Sequence, residues 1–537
     1  MRPCSSNAKA SFATASLRIL TLALALSTNR ETFGSEQTIR PGSMPRIATI
    51  DARFQSYNIE MVTVTGGPFW RPYAQGSAAD QDLYADRLPI DLANTRLRTL
   101  ATALSPAYLR ISGTWANSTW FSDSDTNATR PPAGFNSVLS RAEWRAVVDF
   151  ARAVDARIVT SFAISTGTRD AAGIWTTDQA RRLFAYTRSL HGRVAAVEFM
   201  NEPNLAAQNG APAGYDAKAY DRDIRIFRAL VKKVSPGTLI VGPGSVGYSS
   251  TLSKDLSTSD LLAASGRGVD VFSYHHYATV SQRCGGRDAA EEILTDDWLS
   301  RTDRALAFYR ALRDRFEPNK PIWLTETADA ACGGNPWDAT FVDSFRYLDQ
   351  LGRLAKAGVR VVMHNTLSGS DYGLLEETSF SPRPNYWAAL LWHRLMGTIV
   401  LDPGVPPREG LHVYAHCEPR MRGGVSLLVI NASRDTSHAL ALPIRSERYT
   451  LQASELESKT IELNGRALAL DARDALPRLA GTATRAGVVT FAPATISFLV
   501  APQAENRACR WRGSPFPLQL HNVQVREQVS RASCPEW

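Results

Sequence analysis

The stretch Val194-Ala-Ala-Val-Glu-Phe-Met-Asn-Glu-Pro-Asn204 decides how the rest of the sequence is interpreted. It begins with a short apolar run, typical of a buried strand, and the carboxylate of Glu202 follows that run. The segment Lys320-Pro-Ile-Trp-Leu-Thr-Glu326 has the same form and also ends on a glutamate. Parallel strands that each deliver a carboxylate at the C-terminal end are typical of an α/β fold with its reactive groups at that edge.

Outward from these two segments, short β-branched runs alternate with stretches of helical period between about residue 55 and residue 397. This alternation predicts βα units around a parallel sheet. Eight such units predict a (β/α)8 TIM barrel with insertions, and a doubly wound sheet is the alternative that the pattern also allows. The predicted strands are Tyr57–Thr65, Ala107–Ser112, Arg157–Ile164, Val194–Met200, Thr238–Val241, Val269–Tyr274, Pro321–Thr325 and Arg360–His364.

The pattern changes after Leu401-Asp402-Pro403-Gly404, where short alternating strands separated by Gly, Pro and Asn predict a C-terminal antiparallel β-sandwich. Its predicted strands are Leu411–Ala415, Gly424–Val429, His438–Leu442, Thr460–Leu463, Val488–Phe491 and Thr495–Val500. We therefore expect five regions, which are a leader at 1–33, a linker with a possible sandwich strand at 34–54, the barrel at 55–400, the sandwich at 401–505 and a Cys-bracketed tail at 506–537.

Composition and motifs exclude several classes of protein. Of the 537 residues, 44% are hydrophobic and 21% charged, which is typical of a globular chain rather than a disordered or collagen-like one. The net charge of +8 is scattered along the chain, so we expect no nucleic-acid partner. The sequence contains no CxxC, HExxH or Walker A pattern, and we expect neither a metal nor a cofactor.

The N-terminus resembles a weak signal peptide. Basic residues precede the short apolar run Ile19–Leu26, and Ala25-Leu26-Ser27 is a candidate cleavage site. We expect a secreted or periplasmic protein, with a cytosolic leader or a misplaced start codon as the alternatives. No run of about 18 apolar residues occurs, so we expect no membrane span.

Export would allow disulfide bonds to form and persist. Cys284 and Cys332 each precede a Gly-Gly pair, and each follows a predicted strand that ends on the same rim of the barrel. We predict a bond between them. Cys509 and Cys534 bracket a Pro- and Arg-rich tail, and we predict a second bond that closes this tail.

The two glutamates suggest a specific chemistry. Glu202 and Glu326 close the fourth and seventh predicted strands, which lie on opposite sides of a barrel mouth. Glycoside hydrolysis uses two carboxylates that face each other across the scissile bond, about 5–5.5 Å apart in retaining enzymes. A lone glutamate at a strand end is ordinarily a solvated or salt-bridged rim residue, but two at matching positions favour a catalytic pair.

Five motifs in consistent order resemble the heparanase-type β-glucuronidases of glycoside hydrolase family 79, a retaining barrel family with catalytic residues on strands four and seven. The resemblance covers most of residues 55–400. The motifs are Leu97–Arg110 with Ser112-Gly113-Thr114, Asn201-Glu202-Pro203-Asn204, Tyr274-His275-His276-Tyr277, Trp323-Leu324-Thr325-Glu326-Thr327, and Val361-Val362-Met363 with Tyr372 and Pro384-Asn385-Tyr386-Trp387.

The resemblance implies roles for individual residues. Glu202 would be the acid/base, Glu326 the nucleophile, and Asn201 the partner of the sugar 2-hydroxyl. One of His275 and His276 would line the sugar site beside Tyr277, which would hold the nucleophile by a hydrogen bond. A metal site built on the two histidines lacks a suitably spaced third ligand.

Further positions are implied for recognition of a uronic acid. Glu60 would bind the sugar, with a strand-end salt bridge as its alternative role. The uronate carboxylate would bind backbone amides of the loop Ala330–Asn335, which includes Cys332 and Gly333, together with the hydroxyl of Tyr372. Ala331-Cys332 replaces a Tyr-Gly pair of mammalian heparanase, so one expected hydroxyl donor is missing.

We therefore expect a retaining β-glucuronidase whose partner is a uronic-acid glycoside. A clan relative that acts on neutral sugars, similar to a β-xylosidase, is one alternative, and a non-catalytic glycan-binding barrel is the other. Trp115 and Trp120 suit stacking on a sugar face or packing at the rim. Exo or endo action, the natural substrate and the oligomeric state stay open.

Overall fold

The computed structural model describes residues 37–73, 83–126, 128, 130–247, 256–406 and 408–510. The predicted leader, most of the predicted tail, and Cys534 lie outside these residues. In chain order the strands are β1 Arg46–Thr49, β2 Gln55–Glu60, β3 Gly67–Trp70, β4 Tyr84–Arg87, β5 Ala107–Ser112, β6 Thr119–Ser122, β7 Ser137–Ser140, β8 Ala156–Thr160, β9 Val194–Val197, β10 Leu239–Val246, β11 Val271–Val280, β12 Ile322–Ala331, β13 Val361–His364, β14 Ile399–Leu401, β15 Leu411–Cys417, β16 Val425–Asn431, β17 His438–Leu442, β18 Ser446–Gln452, β19 Glu462–Leu463, β20 Arg466–Ala467, β21 Thr482–Thr484, β22 Gly487–Phe491 and β23 Thr495–Ala501.

The α-helices lie mainly between the strands of the first half of the chain. They are α1 Met61–Thr65, α2 Thr95–Ala103, α3 Arg141–Ala153, α4 Asp178–Ser189, α5 Ala217–Val234, α6 Thr258–Ser265, α7 Asp296–Leu299, α8 Arg301–Phe316, α9 Phe341–Lys356 and α10 Pro384–Leu395. Among these described helices none is both long and apolar enough to cross a membrane.

Eight parallel strands close into a barrel, which confirms the predicted TIM-like fold and excludes the doubly wound alternative. The order around the barrel is β2, β5, β8, β9, β10, β11, β12, β13 and back to β2. Each predicted strand overlaps one of these. The first prediction extended too far, because Met61–Thr65 forms a helix and not the end of a strand. Its β-branched residues favour a strand locally, but burial against the barrel overrides that preference.

The barrel interior is filled from below by apolar side chains from seven of its strands, listed here in chain order: Tyr108, Val159, Ala196, Val241, Val271, Trp323, Val361 and Met363. Side chains alternate between the two faces of a strand. Arg110 therefore points to the interior like Tyr108, while Leu109 and Ile111 belong to the core between strands and helices. This places Arg110 directly above the apolar floor.

The C-terminal part is antiparallel, as predicted. One sheet has the order β1-β14-β15-β16-β23-β18-β19-β20, with β21 beside β18, and β17 pairs with β22 in a second small sheet. Buried residues of both sheets, such as Leu440 and Leu427, share one core. Strand β1 before the barrel joins this sheet through β14. Strand β18 was not predicted because Ser446–Gln452 alternates without a clear apolar pattern.

Two disulfide bonds occur among the described residues. Cys284 bonds to Cys332, which confirms the predicted pair. The predicted bond between Cys509 and Cys534 is wrong, because Cys509 bonds to Cys417 with the two Cα atoms 5.3 Å apart. The backbone of Cys509 accepts a hydrogen bond from Gly423, which docks this turn onto the sandwich beside the end of β15.

Candidate active site

The two glutamates reach the barrel mouth by different backbone routes. β9 ends at Val197, and Glu202 follows in a left-handed conformation with φ 47° and ψ 65°. Such a conformation is costly for a residue with a side chain and is often found at functional sites. Glu326 was predicted at the end of a strand, but it lies inside β12. At this point the pairing register with both neighbouring strands shifts. A bulge of this kind redirects a side chain.

The structure brings Glu202 and Glu326 together. One carboxylate oxygen of each and a ring nitrogen of His275 lie within 4.8 Å of one another. Inverting glycosidases hold their carboxyl groups about 6.5–9.5 Å apart to admit a water molecule, whereas retaining enzymes hold them about 5–5.5 Å apart. The observed proximity fits the retaining arrangement.

Arg110 connects the residues of the site from below. Its guanidinium donates to Glu198 Oε2 at 2.8 Å, to Glu326 Oε2 at 2.7 Å and to Asn201 Oδ1 at 2.8 Å. Arg110 and Glu198 are completely buried, and Glu198 also accepts from the Thr325 hydroxyl. The planar fork of an arginine suits such multiple contacts.

Opposing effects set the ionisation of Glu326. Burial raises the pKa of this carboxyl, but the nearby His275 and Arg110 and the hydrogen bonds from Tyr277 and Arg110 lower the pKa below its ordinary value overall. The carboxyl group is therefore ionised at neutral pH. An ionised carboxylate is what a nucleophile requires.

His275 contacts both carboxylates. Its Nδ1 lies 3.1 Å from Glu202 Oε1 and 3.8 Å from Glu326 Oε2, and its Nε2 lies 3.3 Å from Arg110 Nη2. Because a guanidinium only donates, Nε2 accepts and Nδ1 donates to Glu202. The pKa of the adjacent His276 is lowered to about 3 by burial and by arginines of the outer helices.

Tyr277 and Asn365 surround Glu326 on the side away from Glu198 and Arg110. The Tyr277 hydroxyl donates to Glu326 Oε1 at 2.6 Å and accepts from Asn365 Nδ2 at 3.1 Å. Asn365 also donates to Glu60 Oε1 at 3.0 Å. No cation among the described residues forms a salt bridge with Glu60, so its alternative role in a strand-end ion pair is not observed.

Burial and the negative charge of Glu326 raise the pKa of Glu60 to about 8. Its Oε2 has no hydrogen-bond partner in the described structure. Gly113, with φ 90°, leaves the space that this carboxyl group occupies, because a side chain there would overlap the Glu60 carboxyl. The raised pKa favours the neutral, protonated form of Glu60.

Asn201 is buried and held on three sides. Its Oδ1 accepts from Arg110, its backbone N–H donates to Asn117 Oδ1 at 2.8 Å, and its carbonyl accepts from Asn117 Nδ2 at 2.9 Å. This pairing fixes the segment that carries Glu202. Asn117 thus supports Glu202 from the turn after β5.

The loop after β12 has an unusual backbone. Cys332, Gly333 and Gly334 have φ values of 62°, 85° and 90° in succession. The Gly333 carbonyl accepts from the Asp371 backbone and the Ser370 hydroxyl. Gly333 also packs so closely on Trp70 that a side chain could not be added. The disulfide at Cys332 ties this loop to the end of β11.

A cavity of about 1820 Å³ opens above these residues. Of the predicted site residues, Glu60, Glu202, Tyr277, Glu326, Cys332 and Tyr372 line it. Asn201, His275 and Gly333 are not among the lining residues, and each contacts or adjoins a residue that is. Trp70, Tyr84 and Trp115 form an aromatic group in the cavity wall, with ring centroids 4.7–6.2 Å apart. Trp120 does not line the cavity.

Glu202, His275 and Glu326 are close enough together to be considered as metal ligands. Both ring nitrogens of His275 already have partners, and the Arg110 guanidinium donates to Glu326 in the same space. A cation would have to displace that guanidinium against charge repulsion. The donor set therefore suits proton transfer and not metal binding.

Sequence reasoning missed Arg110, Glu198 and Asn365, and it suggested Asn117 as a sugar contact and not as a support of the Asn201 backbone. A charged residue within the apolar strand Ala107–Ser112 was the available signal for Arg110, since a buried charge requires partners. The contacts of Asn117 and Asn365 depend on how loops from different strands meet at the barrel mouth, and the sequence carries no signal for them.

Comparison with known proteins is consistent with this geometry. Residues 82–352 match the model of the glycosyl hydrolase family 79 N-terminal domain. The chain is 30% identical over 386 residues to heparanase-like protein 2 of Arabidopsis thaliana, which covers 63% of this chain and 69% of the relative. It is 28% identical over 480 residues to heparanase of Bos taurus, which covers 78% of this chain and 86% of that protein.

Among solved structures, the fold is similar to that of a 4-O-α-L-rhamnosyl-β-D-glucuronidase from Fusarium oxysporum. The TM-score is 0.62 at 16% identity, and the alignment covers 86% of this chain and 99% of that one. At this level of identity the similarity concerns the fold.

Proposed function

Because the chain belongs to glycosyl hydrolase family 79, we propose that Glu202 and Glu326 are the acid/base and the nucleophile of its glycosidase reaction. The enzyme is a retaining glycoside hydrolase that acts on glucuronides. The observation that carries the assignment of residues is the short separation of the two carboxylates, one of which is ionised and oriented by Arg110 and Tyr277.

In the first step, Glu326 attacks the anomeric carbon while Glu202 protonates the leaving oxygen. Because His275 Nδ1 donates to Glu202 Oε1, the proton of Glu202 is placed on Oε2, which faces Asn209 Nδ2 at 3.4 Å. In the second step, Glu202 accepts a proton from water, which hydrolyses the glucuronyl-enzyme ester. The contacts of Tyr277 and Arg110 keep Glu326 in place through both steps.

We propose that neutral donors recognise the glucuronate ring. Protonated Glu60 would donate to a sugar oxygen, and Asn201 would approach the 2-hydroxyl from beneath the site. The uronate carboxylate would bind amides near Cys332 and Gly333 and the hydroxyl of Tyr372, whose side chain lines the cavity. An anion can be held by backbone N–H groups without a positively charged side chain.

Additional activity on a neutral sugar, similar to that of a β-xylosidase, is the second candidate. It is favoured by Ala331-Cys332, which provides no side-chain hydroxyl in the loop after β12. The two candidates share the catalytic pair and differ in the group at carbon 5 of the sugar. Initial rates on matched aryl β-glucuronide and aryl β-xyloside substrates separate them, with Glu326→Ala as the blank.

The role of Glu202 has a separate test. Glu202→Ala should lose nearly all activity on alkyl glucuronides, yet keep part of its activity on aryl glucuronides with good leaving groups, because these need no protonation. Glu326→Ala should lose both activities. Equal residual rates of Glu202→Ala on good and poor leaving groups would contradict the assignment.

We also propose that the protein is exported. Two disulfide bonds within the described residues support this, because disulfides form and persist mainly in oxidising compartments. Detection of the mature N-terminus in the periplasmic or culture fraction would test the proposal.

A further inference from the structure

The cavity is much larger than one sugar ring requires. Its volume of about 1820 Å³ exceeds the roughly 300–1,000 Å³ of pockets that hold a drug-sized ligand. Groups on one or both sides of the scissile glucuronide therefore have room to bind, and the remaining walls decide which groups they accept.

The charges of these walls are of one sign. Among the described lining residues five are acidic and none is a lysine or arginine, the acidic ones being Glu60, Glu143, Glu202, Asp288 and Glu326. Burial raises the pKa of Glu60, while Arg110 pairs with Glu326 and Arg301 with Asp288. Glu202 carries the proton that it is proposed to donate. The described walls therefore contain carboxyl groups and no formal positive charge.

Three arginines around the cavity already have partners. Arg110 is held by Glu198 and Glu326, Arg283 by Asp371 at 2.8 Å, and Arg301 by Asp288 and Asp297. The Arg283 side chain is also buried, and its guanidinium stacks on the Tyr73 ring. A sulfate group would have to break one of these pairs to contact any of the three guanidinium groups.

The aromatic group adds a positive preference. Trp70, Tyr84 and Trp115 line the cavity beside the loop of Gly333, and Tyr84 is 39% exposed. Flat aromatic surfaces bind other rings and the apolar faces of pyranoses by burying apolar area. Such a wall suits an uncharged group.

We propose that the substrate segment next to the scissile glucuronide is uncharged, with a flat apolar face that packs on Trp70, Tyr84 and Trp115, and that sulfated chains are disfavoured. The flat group is either a neutral pyranose or an aromatic aglycone, and these share the same chemistry of recognition. This inference rests on the proposed function, because it concerns what flanks a bound glucuronide. The lysines and arginines that give the chain its net charge of +8 are not among the described residues that line the cavity.

Competition against hydrolysis of an aryl β-glucuronide tests the proposal in the wild-type protein. The inhibitors are a glucuronate-containing oligosaccharide with N-acetylated, unsulfated neighbours and the same oligosaccharide with sulfated neighbours. A hydrophobic aryl alcohol is the third arm and distinguishes an aglycone from a sugar. We expect the unsulfated oligosaccharide or the aryl alcohol to inhibit competitively at a concentration at least about tenfold lower than the sulfated oligosaccharide.

The sign of the salt dependence is the decisive readout. If carboxylates repel the sulfated inhibitor, added salt screens the repulsion and strengthens its inhibition, while inhibition by the uncharged aryl alcohol changes little. Tighter inhibition by the sulfated oligosaccharide, weakened by salt, would overturn the proposal. So would a lack of inhibition by both the unsulfated oligosaccharide and the aryl alcohol. If the wild-type protein does not hydrolyse the aryl glucuronide at all, that result would instead contradict the proposed function.

Two variants separate stacking from charge. Tyr84→Ala should weaken inhibition by the preferred uncharged compound by about 2- to 12-fold, the equivalent of one aromatic contact, whereas Trp120→Ala, outside the cavity, should not. Asp288→Asn should narrow the difference between the sulfated and unsulfated oligosaccharides, and Asp314→Asn on the exposed face of α8 should leave it unchanged. An unchanged difference in Asp288→Asn would contradict the electrostatic part.

Discussion

At the scale of single residues, Arg110 determines the electrostatics of the site. It is a buried cation that contacts Glu326, Glu198 and Asn201 together. Removing one partner of such a network leaves uncompensated buried charge, which costs about 3–5 kcal/mol of folding free energy. A substitution that keeps the charge is therefore more informative than a truncation.

Arg110→Lys should keep the fold but lower kcat/KM by about 100-fold or more, because one ammonium cannot reach the same acceptors as the guanidinium fork. A weaker contact with Glu326 also raises the pKa of that carboxyl. The acidic limb of the kcat/KM profile should therefore move to higher pH. Arg152→Lys, in an exposed ion pair on α3, is the control. If Arg110→Lys loses activity but the acidic limb of its kcat/KM profile does not move, Arg110 has only a structural role.

Glu60 predicts a pH-dependent effect on stability. Its folded pKa of about 8 lies above the ordinary value of 4.5. Between these values the folded state binds the proton more tightly than the unfolded state does, so the contribution of Glu60 to stability is complete below about pH 4.5 and is lost as pH rises through about 8. Glu60→Gln removes this loss.

The unfolding temperature of Glu60→Gln should therefore match that of the wild type near pH 4.5 and exceed it at pH 8 by roughly 2 °C or more. Glu455→Gln, an exposed site on the sandwich, should show no such difference. An equal offset at both pH values would mean that Glu60 is ionised throughout this range.

The positions of Glu202 and Glu326 at the barrel mouth could be predicted because an apolar run followed by a carboxylate is a local sequence pattern. Arg110 could not, because the distances from its guanidinium to Glu198, Asn201 and Glu326 arise only when strands far apart in sequence close the barrel. The raised pKa of Glu60 has the same origin. Roles that depend on a neighbour from another strand are visible only in three dimensions.

At the scale of elements, the loop after β12 depends on its disulfide. Cys284 ends the turn after β11, and Cys332 lines the cavity in a left-handed conformation. Breaking the bond frees a loop whose amides we expect to hold the uronate carboxylate. Cys284→Ser should therefore raise KM for an aryl glucuronide several-fold with a smaller change in kcat, as measured by steady-state kinetics.

The second disulfide is a matched control for this prediction. Cys417→Ser breaks the bond to Cys509 in the sandwich, away from the residues that line the cavity. Each substitution should lower stability by about 2–4 kcal/mol. If KM rises equally in both variants, the effect of Cys284→Ser reflects general loosening and not the loop.

The boundaries of the strands were predicted correctly where the apolar pattern of the sequence and the burial of the residues agree. Ala107–Ser112 and His438–Leu442 match the predicted strands, because the first is buried throughout and the second buries the alternate residues Leu440 and Leu442. β10, β11 and β12 extend further than predicted towards the barrel mouth, where polar and small residues follow the apolar run. Those extensions carry His275, Tyr277 and Glu326, so polar residues of the site follow where the apolar pattern ends.

At the scale of the whole molecule, α9 connects the barrel to the sandwich. Asp349 on α9 accepts from His412 Nδ1 and from the Tyr414 hydroxyl of β15, both at 2.6 Å. His412 Nε2 lies 3.0 Å from Asp296 of α7. Gly352 permits this contact, because a side chain there would overlap the Tyr414 ring. An ionic contact thus crosses the interface between the two parts.

This contact predicts how the whole protein responds to alkaline pH. Burial lowers the pKa of His412, but the charge of Asp349 and the hydrogen bonds to Asp296 and Asp349 raise the pKa to about 9 overall. Since the folded value lies above the ordinary 6.5, this stabilisation is complete below about pH 6.5 and is lost as pH rises through about 9. The free energy of unfolding should fall in this range by on the order of 2 kcal/mol.

His412→Asn should be less stable than the wild type at pH 6 and should lose this pH dependence. His191→Asn is the control and should behave as the wild type, because His191 is exposed and has a φ of 54° that asparagine tolerates. Chemical denaturation at pH 6, 7.5 and 9 measures both. If His412→Asn keeps the full alkaline loss, another group governs the interface, and the charge of His412 does not hold barrel and sandwich together.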